Sequence, residues 1–133
     1  MKYLMLHAVD ESAYRNAETC ADPQALAEWV AEMTARGVVL DGARLRPVAD
    51  ATTVRVVDGG TQVTDGPFAE TKEQVAGYDV IECPDLDTAI AVAGAHPTIR
   101  HGSIEVRAFD EGMPDPEVRV AVRSGTSGVM RGL

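Results

Sequence analysis

The chain has few aromatic and few basic residues. Phe, Trp and Tyr make up 5% of its 133 residues, with a single Trp, so small aliphatic side chains have to fill most of any core. The 21 acidic residues outnumber the 12 basic ones, and the formal net charge is -9. Binding to nucleic acid or to an anionic membrane surface needs a basic footprint. We therefore expect neither partner.

Cysteine and long apolar runs are also scarce. Cys20 and Cys83 form no Cys-x-x-Cys pair, so the sequence encodes neither a zinc knuckle nor a redox dithiol. We expect both to be small buried or half-buried side chains. The apolar run at the N-terminus is too short for a signal peptide, and no later run reaches membrane-spanning length. A cytoplasmic protein is the expectation.

The length and the composition predict one folded domain with a tail. Hydrophobic residues at 45% and charged residues at 25% are ordinary for a globular protein of this size. From Met113 onward the chain becomes rich in Pro, then in Ser and Gly. We expect the domain to cover residues 1–110. Residues 111–133 form the C-terminal tail, in which Val118–Arg123 could add one edge strand.

Alternation of apolar residues and the positions of turn residues predict the order of the elements. Strands are predicted at residues 2–9, 38–45, 52–57, 61–64, 75–83 and 103–109. The first helix starts with Asp22 as its cap and Pro23 in its first turn, and Gly37 stops it. Its apolar stripe is formed by Leu26, Trp29, Val30 and Met33.

A second helix is predicted to begin at Asp85 or Asp87 and to end before Pro97. Its apolar face is formed by Leu86, Ala89, Ile90 and Ala93. Asp58-Gly59-Gly60 supplies the positive φ angles of a tight hairpin between the two middle strands.

This order of elements predicts an α+β fold of the ferredoxin-like kind. It is the split β-α-β arrangement, an antiparallel sheet with two helices on one face. Two helices cannot cover both faces of a sheet, and several strands look apolar on both sides. We expect the open face to bind a second copy of the chain, so that the protein is a homodimer.

The segment Asp65-Gly66-Pro67-Phe68-Ala69-Glu70-Thr71-Lys72-Glu73-Gln74 combines a turn, an aromatic residue and several charges. In the structural interpretation Asp65 bonds a turn amide and Phe68 anchors the loop into the core. In the functional one the loop lines a ligand pocket. Glu70, Lys72 and Glu73 are acid–base candidates if they are buried together, although solvated loop charges are commoner.

His7 is the most suggestive of the three histidines. It shares a strand face with Tyr3 and Met5, which in this topology could be the inner face of a dimer cleft. Glu105 and Arg107 of the last strand are its expected neighbours there. The alternative is a packed interface with a buried Glu–Arg pair.

The other two histidines, His96 and His101, are weaker candidates for a functional site. His96 is expected to stabilise the end of the second helix as a partial cation. No spacing in the chain predicts a metal site. The sequence contains no Gly-rich phosphate motif, nucleophile elbow or His-Glu-x-x-His.

Four segments in order carry a family resemblance: Thr53–Val56, Thr64–Gln74, Asp85–Ala89 and Gly102–Arg107. Over residues 1–109 the chain resembles the DGPF subfamily of YCII-related proteins. The resemblance implies a ferredoxin-like fold that dimerises sheet to sheet as a dimeric α/β barrel with a cleft between subunits. It also implies an association with extracytoplasmic-function sigma factors, although this chain contains no sigma-factor domain.

The resemblance bears on catalysis as well. In some YCII-related proteins a proposed catalytic pair has its His early in the first helix and its Asp before a proline that follows the second helix. Here the first helix contains no His, and His96 stands before Pro97. That pair is therefore predicted to be absent.

These observations predict a small dimer that binds a small molecule or a regulatory partner at an intersubunit cleft, with no metal or cofactor. Its catalytic residues are unassigned. The ligand-binding candidates are His7, Asp65, Phe68, Glu70, Lys72, Glu105 and Arg107. One alternative is an acid–base enzyme in the same cleft, an isomerase, a lyase or a cofactor-free oxidase that uses His7 or the 65–73 loop. Another is an accessory protein of a sigma factor.

Overall fold

The computed structural model describes residues 1–14 and 22–112. In chain order its elements are β1 (Lys2–Val9), α1 (Glu11–Tyr14), α2 (Pro23–Ala35), β2 (Val39–Arg44), β3 (Thr52–Val57), β4 (Gly60–Asp65), β5 (Gln74–Glu82), α3 (Leu86–Gly94) and β6 (Gly102–Ala108). Short 3-10 turns occupy Val48–Asp50 and Pro97–Arg100. Cys20 and the predicted tail strand at Val118–Arg123 lie outside the described residues.

The main sheet has four strands in the order β2-β5-β1-β6, and every neighbouring pair is antiparallel. With α2 between β1 and β2 and α3 between β5 and β6, this is the ferredoxin-like topology. Strand β1 lies between β5 and β6, so both of its edges are hydrogen-bonded. The predicted α+β fold is confirmed.

Both helices pack on the same face of the main sheet. Strand β1 places alternate residues on this face, and Tyr3, Met5, His7 and Val9 are buried there. From the helices, Trp29 and Met33 of α2 and Ala89, Val92 and Ala93 of α3 complete the core. Alternation along the strands therefore sends each side chain to one layer or the other.

The ends of the helices follow the sequence signals. The Asp22 side chain accepts a hydrogen bond from the Gln24 amide at 3.0 Å, and Pro23 opens α2. Asp85 accepts one from the Thr88 amide at 2.8 Å and caps α3. These bonds satisfy amides that the first helical turn leaves free.

The predicted apolar stripes are only partly buried. On α2, Leu26 and Val30 are 37% and 41% exposed, and on α3, Leu86 and Ile90 are 51% and 54% exposed. On α3, Ala89 and Ala93 pack against the sheet. Their small side chains bring the helix close to the sheet, which leaves little room for larger side chains on the same helical face. The buried face of each helix is therefore narrower than the apolar stripe predicted from the sequence.

The hairpin of β3 and β4 forms a separate two-stranded sheet. Its turn uses positive φ at Asp58 (50°) and Gly59 (77°), as the sequence predicted. Val54 and Val63 face each other across the two strands, and each is 61% exposed. Within residues 1–14 and 22–112, no helix combines the length and the apolarity needed to cross a lipid bilayer.

A close contact between β1 and β6 provides a test of this topology. A Cβ on Gly102 would collide with the carbonyl oxygen of Ala8 on β1. We expect Gly102→Ala to lower the free energy of unfolding by about 1–3 kcal/mol, as overpacking does. The measurement is a urea unfolding curve.

Gly94, the last residue of α3, provides the matched control. No atom lies within 4 Å of a Cβ built there, so Gly94→Ala should be neutral or slightly stabilising. Equal losses in the two variants would contradict the tight β1–β6 pairing.

Candidate active site

A histidine and an aspartate meet in the interior, on the helix-covered face of the sheet. His7 of β1 lies opposite Gly77 of β5, and Asp79 lies two residues further along β5, opposite Met5. The His7 Nε2 atom is 2.6 Å from Oδ2 of Asp79. The two residues are 5% and 9% exposed, so this charge-assisted contact is shielded from water.

His96 is the third member of the cluster and arrives from the turn that follows α3. Its ring centroid lies 4.3 Å from that of His7, and its Nε2 atom is 3.8 Å from Oδ2 of Asp79. Trp29 of α2 packs edge-on against the His96 ring, with a centroid separation of 4.5 Å. The indole Nε1–H of Trp29 donates to the carbonyl of Val92 at 3.2 Å, which holds the indole in place.

Hydrogen bonding assigns the tautomer of each ring. The Thr98 amide donates to Nδ1 of His96 at 3.1 Å, so the proton of the neutral ring is on Nε2 and faces Asp79. His7 donates its Nε2–H to Asp79, because an ionised carboxylate only accepts. Nδ1 of His7 is buried and has no hydrogen-bond partner among the described residues. The cluster therefore contains one carboxylate, two N–H groups directed toward it and one unused lone pair.

His96 is neutral at physiological pH. The pKa of His96 is lowered from 6.5 to about 4, chiefly by burial and secondly by the neighbouring His7, while Asp79 acts in the opposite direction. The expectation that His96 acts as a partial cation at a helix end is therefore wrong. The ring is buried, and it caps the 3-10 turn by accepting a hydrogen bond.

Gly42 makes room for the carboxylate. It lies opposite Asp79 on β2, and a Cβ at this position would collide with Oδ1 of Asp79. Any larger residue would therefore have to push the carboxylate away from its place beside His7. Gly42 is exposed, so the cluster lies close to solvent at this edge of the sheet.

The donor set resembles a metal site, but the surrounding hydrogen bonds favour a proton-transfer pair. One donor atom from each of His7, Asp79 and His96 lies within 4.8 Å of the others, as in sites made of two His and one carboxylate. A ligating imidazole normally donates its other N–H to an acceptor. Nδ1 of His96 is instead faced by the Thr98 N–H, and Nδ1 of His7 has no acceptor among the described residues.

The candidates predicted in the 65–73 loop differ from this buried cluster, because their side chains are exposed to solvent. Asp65, Phe68, Glu70 and Lys72 are at the surface, and Phe68 is 79% exposed. The prediction that Phe68 anchors the loop into the core is wrong. Its backbone carbonyl instead accepts a hydrogen bond from Arg55 at 2.9 Å, which attaches the loop to the hairpin. Ligand binding by these side chains stays a prediction.

The proposed cleft of His7, Glu105 and Arg107 is also corrected. His7 is paired with Ile104, whereas Glu105 is paired with Leu6, so Glu105 and Arg107 lie on the opposite face of the sheet. The Arg107 Nε atom is 3.7 Å from Glu105 Oε2, and both side chains are exposed in the chain. Successive residues of a strand point to opposite faces, so these two cannot share a site with His7.

Sequence reasoning found His7 but missed both of its partners. A usable signal was present at Asp79, a carboxylate in the middle of an otherwise apolar strand, where burial requires a partner. His96 was assigned to a helix end, because nothing local shows which layer its ring enters. The expectation that no His–Asp pair exists applied only to the positions implied by the resemblance. The structure contains such a pair at His7 and Asp79.

The pKa of His96 predicts how stability depends on pH. Between pH 6.5 and about 4 the unfolded chain binds more protons at this residue than the folded chain, so stability falls as the pH falls through this window. The loss should approach roughly 3 kcal/mol near the lower end. Urea unfolding at a series of pH values measures it.

His96→Asn is the reference variant for this prediction. Asn retains an acceptor for the Thr98 amide, but it does not titrate. The stability difference between the wild type and His96→Asn should shrink as the pH is lowered. Parallel curves for the two proteins would contradict a neutral, buried His96.

The chain is similar to a curated protein in sequence and to a solved protein in structure. It is 49% identical over 69 residues to the uncharacterized protein R00369 of Rhizobium meliloti (strain 1021), and the match covers 49% of this chain and 54% of that one. The chain thus matches about half the length of this curated relative. A solved structure to which it is similar is that of the 5-chloro-2-hydroxyhydroquinone dehydrochlorinase TftG of Burkholderia phenoliruptrix AC1100, in complex with 2,5-dihydroxybenzoquinone.

That structural likeness has a TM-score of 0.46 at 10% identity, and it covers 83% of this chain and 94% of the other. Nothing about the chemistry of the dehydrochlorinase transfers at this similarity. The family comparison is far more extensive, because the model of the YCII-related domain matches residues 1–111, which include every strand and helix described above. This chain belongs to the family of proteins with a YCII-related domain.

Proposed function

We propose that this protein transfers protons to and from a small molecule, with His7 as the general base and Asp79 as the residue that orients it. The observation that carries the proposal is the 2.6 Å contact between His7 Nε2 and Asp79, which leaves Nδ1 of His7 buried and without a partner among the described residues. A buried lone pair on imidazole is suited to accept a proton from a bound substrate.

Burial and pairing support this role. A carboxylate that accepts the N–H of a catalytic imidazole selects its tautomer and stabilises the imidazolium formed after proton transfer. The 9% exposure of Asp79 keeps water from weakening that interaction. His96 places a second N–H near the same carboxylate oxygen, with its Nε2 atom 3.8 Å away.

The reaction class follows from what these groups can do unaided. A base and its orienting carboxylate suffice for removing a proton next to a carbonyl or for eliminating a leaving group. Isomerisation and lyase chemistry are therefore the favoured classes. Both belong to the acid–base alternative that the sequence left open for His7, and Asp79 is the partner that the structure adds.

Hydrogen–deuterium exchange provides the test of proton transfer. Incubating the protein in deuterium oxide with a panel of small carbon acids, such as keto acids, should yield deuterated substrate that proton NMR detects. His7→Gln should lower the exchange rate by about 10²- to 10⁴-fold, the usual contribution of a general base.

His101→Gln serves as the matched control. His101 is an exposed histidine that follows the 3-10 turn, so its loss should leave the exchange rate unchanged. Exchange that survives in His7→Gln would remove His7 from the proposed role. Exchange that is lost equally in both variants would do the same.

A second candidate function is self-association through the face of the sheet that the helices leave open. Leu4 and Leu6 of β1 and Tyr78 and Val80 of β5 are directly paired at the centre of this face, and all four are half-buried. Glu105 and Arg107 flank them on β6. An apolar centre with a charged rim is typical of a protein–protein interface, and it supports the predicted homodimer.

Sedimentation tests the dimer. We expect the wild type to sediment as a dimer at micromolar concentration and Leu6→Glu to sediment as a monomer, since a charge would be buried at the centre of the contact. Val54→Glu on the separate hairpin is the control, and it should remain dimeric. A monomeric wild type would exclude this interface.

Other expectations remain predictions of the sequence. Association with an extracytoplasmic-function sigma factor follows only from the DGPF resemblance, as does membership of that subfamily. The cytoplasmic location and the binding of a regulatory partner rest on the sequence in the same way. Copurification with a sigma factor from the native host would test the first of them.

A further inference from the structure

The end of the main sheet at which β1 begins carries a cavity of about 330 Å³. It is lined by Met1, Lys2, Glu82, Phe109 and Glu111. Lys2 of β1 is paired with Glu82 of β5, and the Phe109 amide donates to the Lys2 carbonyl at 2.9 Å. Three of the lining residues therefore form one row across the end of the sheet. The volume of the cavity is within the range of small-molecule sites.

This cavity is separate from the His7–Asp79 pair. Lys2 and Leu4 are two residues apart on β1 and share the open face of the sheet, whereas His7 is on the helix-covered face. Glu82 is on the open face as well, because directly paired residues of antiparallel strands lie on the same face. A ligand in this cavity is therefore independent of the proposed proton transfer at His7.

Three charged side chains at the cavity have no partner among the described residues. Lys2, Glu82 and Glu111 make no side-chain hydrogen bond or ion pair with any residue that the structure describes. Opposite charges on directly paired residues usually attract each other across two strands, yet Lys2 and Glu82 form no ion pair. The cavity therefore offers one cationic and two anionic groups to a ligand.

These charges select a ligand that carries both signs. An anion bound to Lys2 would be repelled by the two carboxylates, and a cation bound to Glu82 and Glu111 would be repelled by the Lys2 ammonium group. A ligand ammonium group has three N–H donors and can bond to both carboxylates, while a ligand carboxylate accepts from Lys2. The half-buried Phe109 ring offers an apolar surface to the rest of the molecule.

We infer that this cavity binds a small zwitterion, an α-amino acid with an apolar side chain. Its carboxylate binds Lys2, its ammonium group binds Glu82 and Glu111, and its side chain packs against Phe109. Each charged end of the ligand thus meets a charge for which the described chain supplies no partner. All the lining residues belong to one chain, so the site is complete without self-association.

A matched set of three probes tests the ligand class by NMR titration. Phenylalanine carries both charges, 2-phenylethylamine lacks the carboxylate, and 3-phenylpropionate lacks the ammonium group. Phenylalanine should bind about tenfold or more tightly than either of the others, because each of them lacks one set of charge-assisted hydrogen bonds. Equal affinities for the three probes, or no binding of phenylalanine, would overturn the inference.

Two variants assign the ends of the ligand. Lys2→Met removes the charge of an unbranched side chain. It should weaken phenylalanine binding by about tenfold, and 2-phenylethylamine should bind no more weakly than before. Glu82→Gln should weaken the binding of phenylalanine and 2-phenylethylamine, but not that of 3-phenylpropionate. Unchanged phenylalanine binding in both variants would refute the site.

Glu28→Gln is the control for charge. Glu28 lies on α2 and accepts a hydrogen bond from Gln24 of the same helix, and it does not line the cavity. Its loss changes the net charge as much as Glu82→Gln does, so equal effects of the two variants would contradict the inference.

The amide signals locate the ligand in the same titrations and show that each variant is folded. Phenylalanine should shift the signals of Glu82 and Phe109 in the wild type. Shifts confined to residues away from the cavity would refute the site.

Discussion

An ionised carboxylate in a protein interior requires hydrogen-bond donors, and this requirement shapes the centre of the molecule. Asp79 is buried beside His7, and a second imidazole lies within 4 Å of the same oxygen. Without these N–H groups the charge would be strongly unfavourable in the low-dielectric interior. The Thr98 amide directs the His96 proton toward the carboxylate, and Trp29 holds the ring in place.

The same requirement explains one position where the sheet lacks a side chain. Gly42 leaves the space that the Asp79 carboxylate fills. A Cβ at this position would collide with Oδ1 of Asp79. Gly42 therefore serves the geometry of the site, although glycine weakens a strand in general.

The fold separates two kinds of surface on one sheet. Residues of β1 with odd numbers enter the helix-covered core, where His7 lies, and those with even numbers, Leu4 and Leu6, face the open side. Chemistry on one face and self-association on the other are compatible in this arrangement.

The sequence by itself determined the elements and their order. Caps at Asp22 and Asp85, the turn at Asp58-Gly59 and alternation in the strands are local signals, and they were enough to predict the ferredoxin-like fold. Only the tertiary structure decided that His7 meets Asp79 and His96, and that Glu105 lies on the other side. Strand register and helix rotation bring together residues more than 70 positions apart, as in the His7–Asp79 contact. No local pattern encodes such a pairing, because it depends on how whole elements pack.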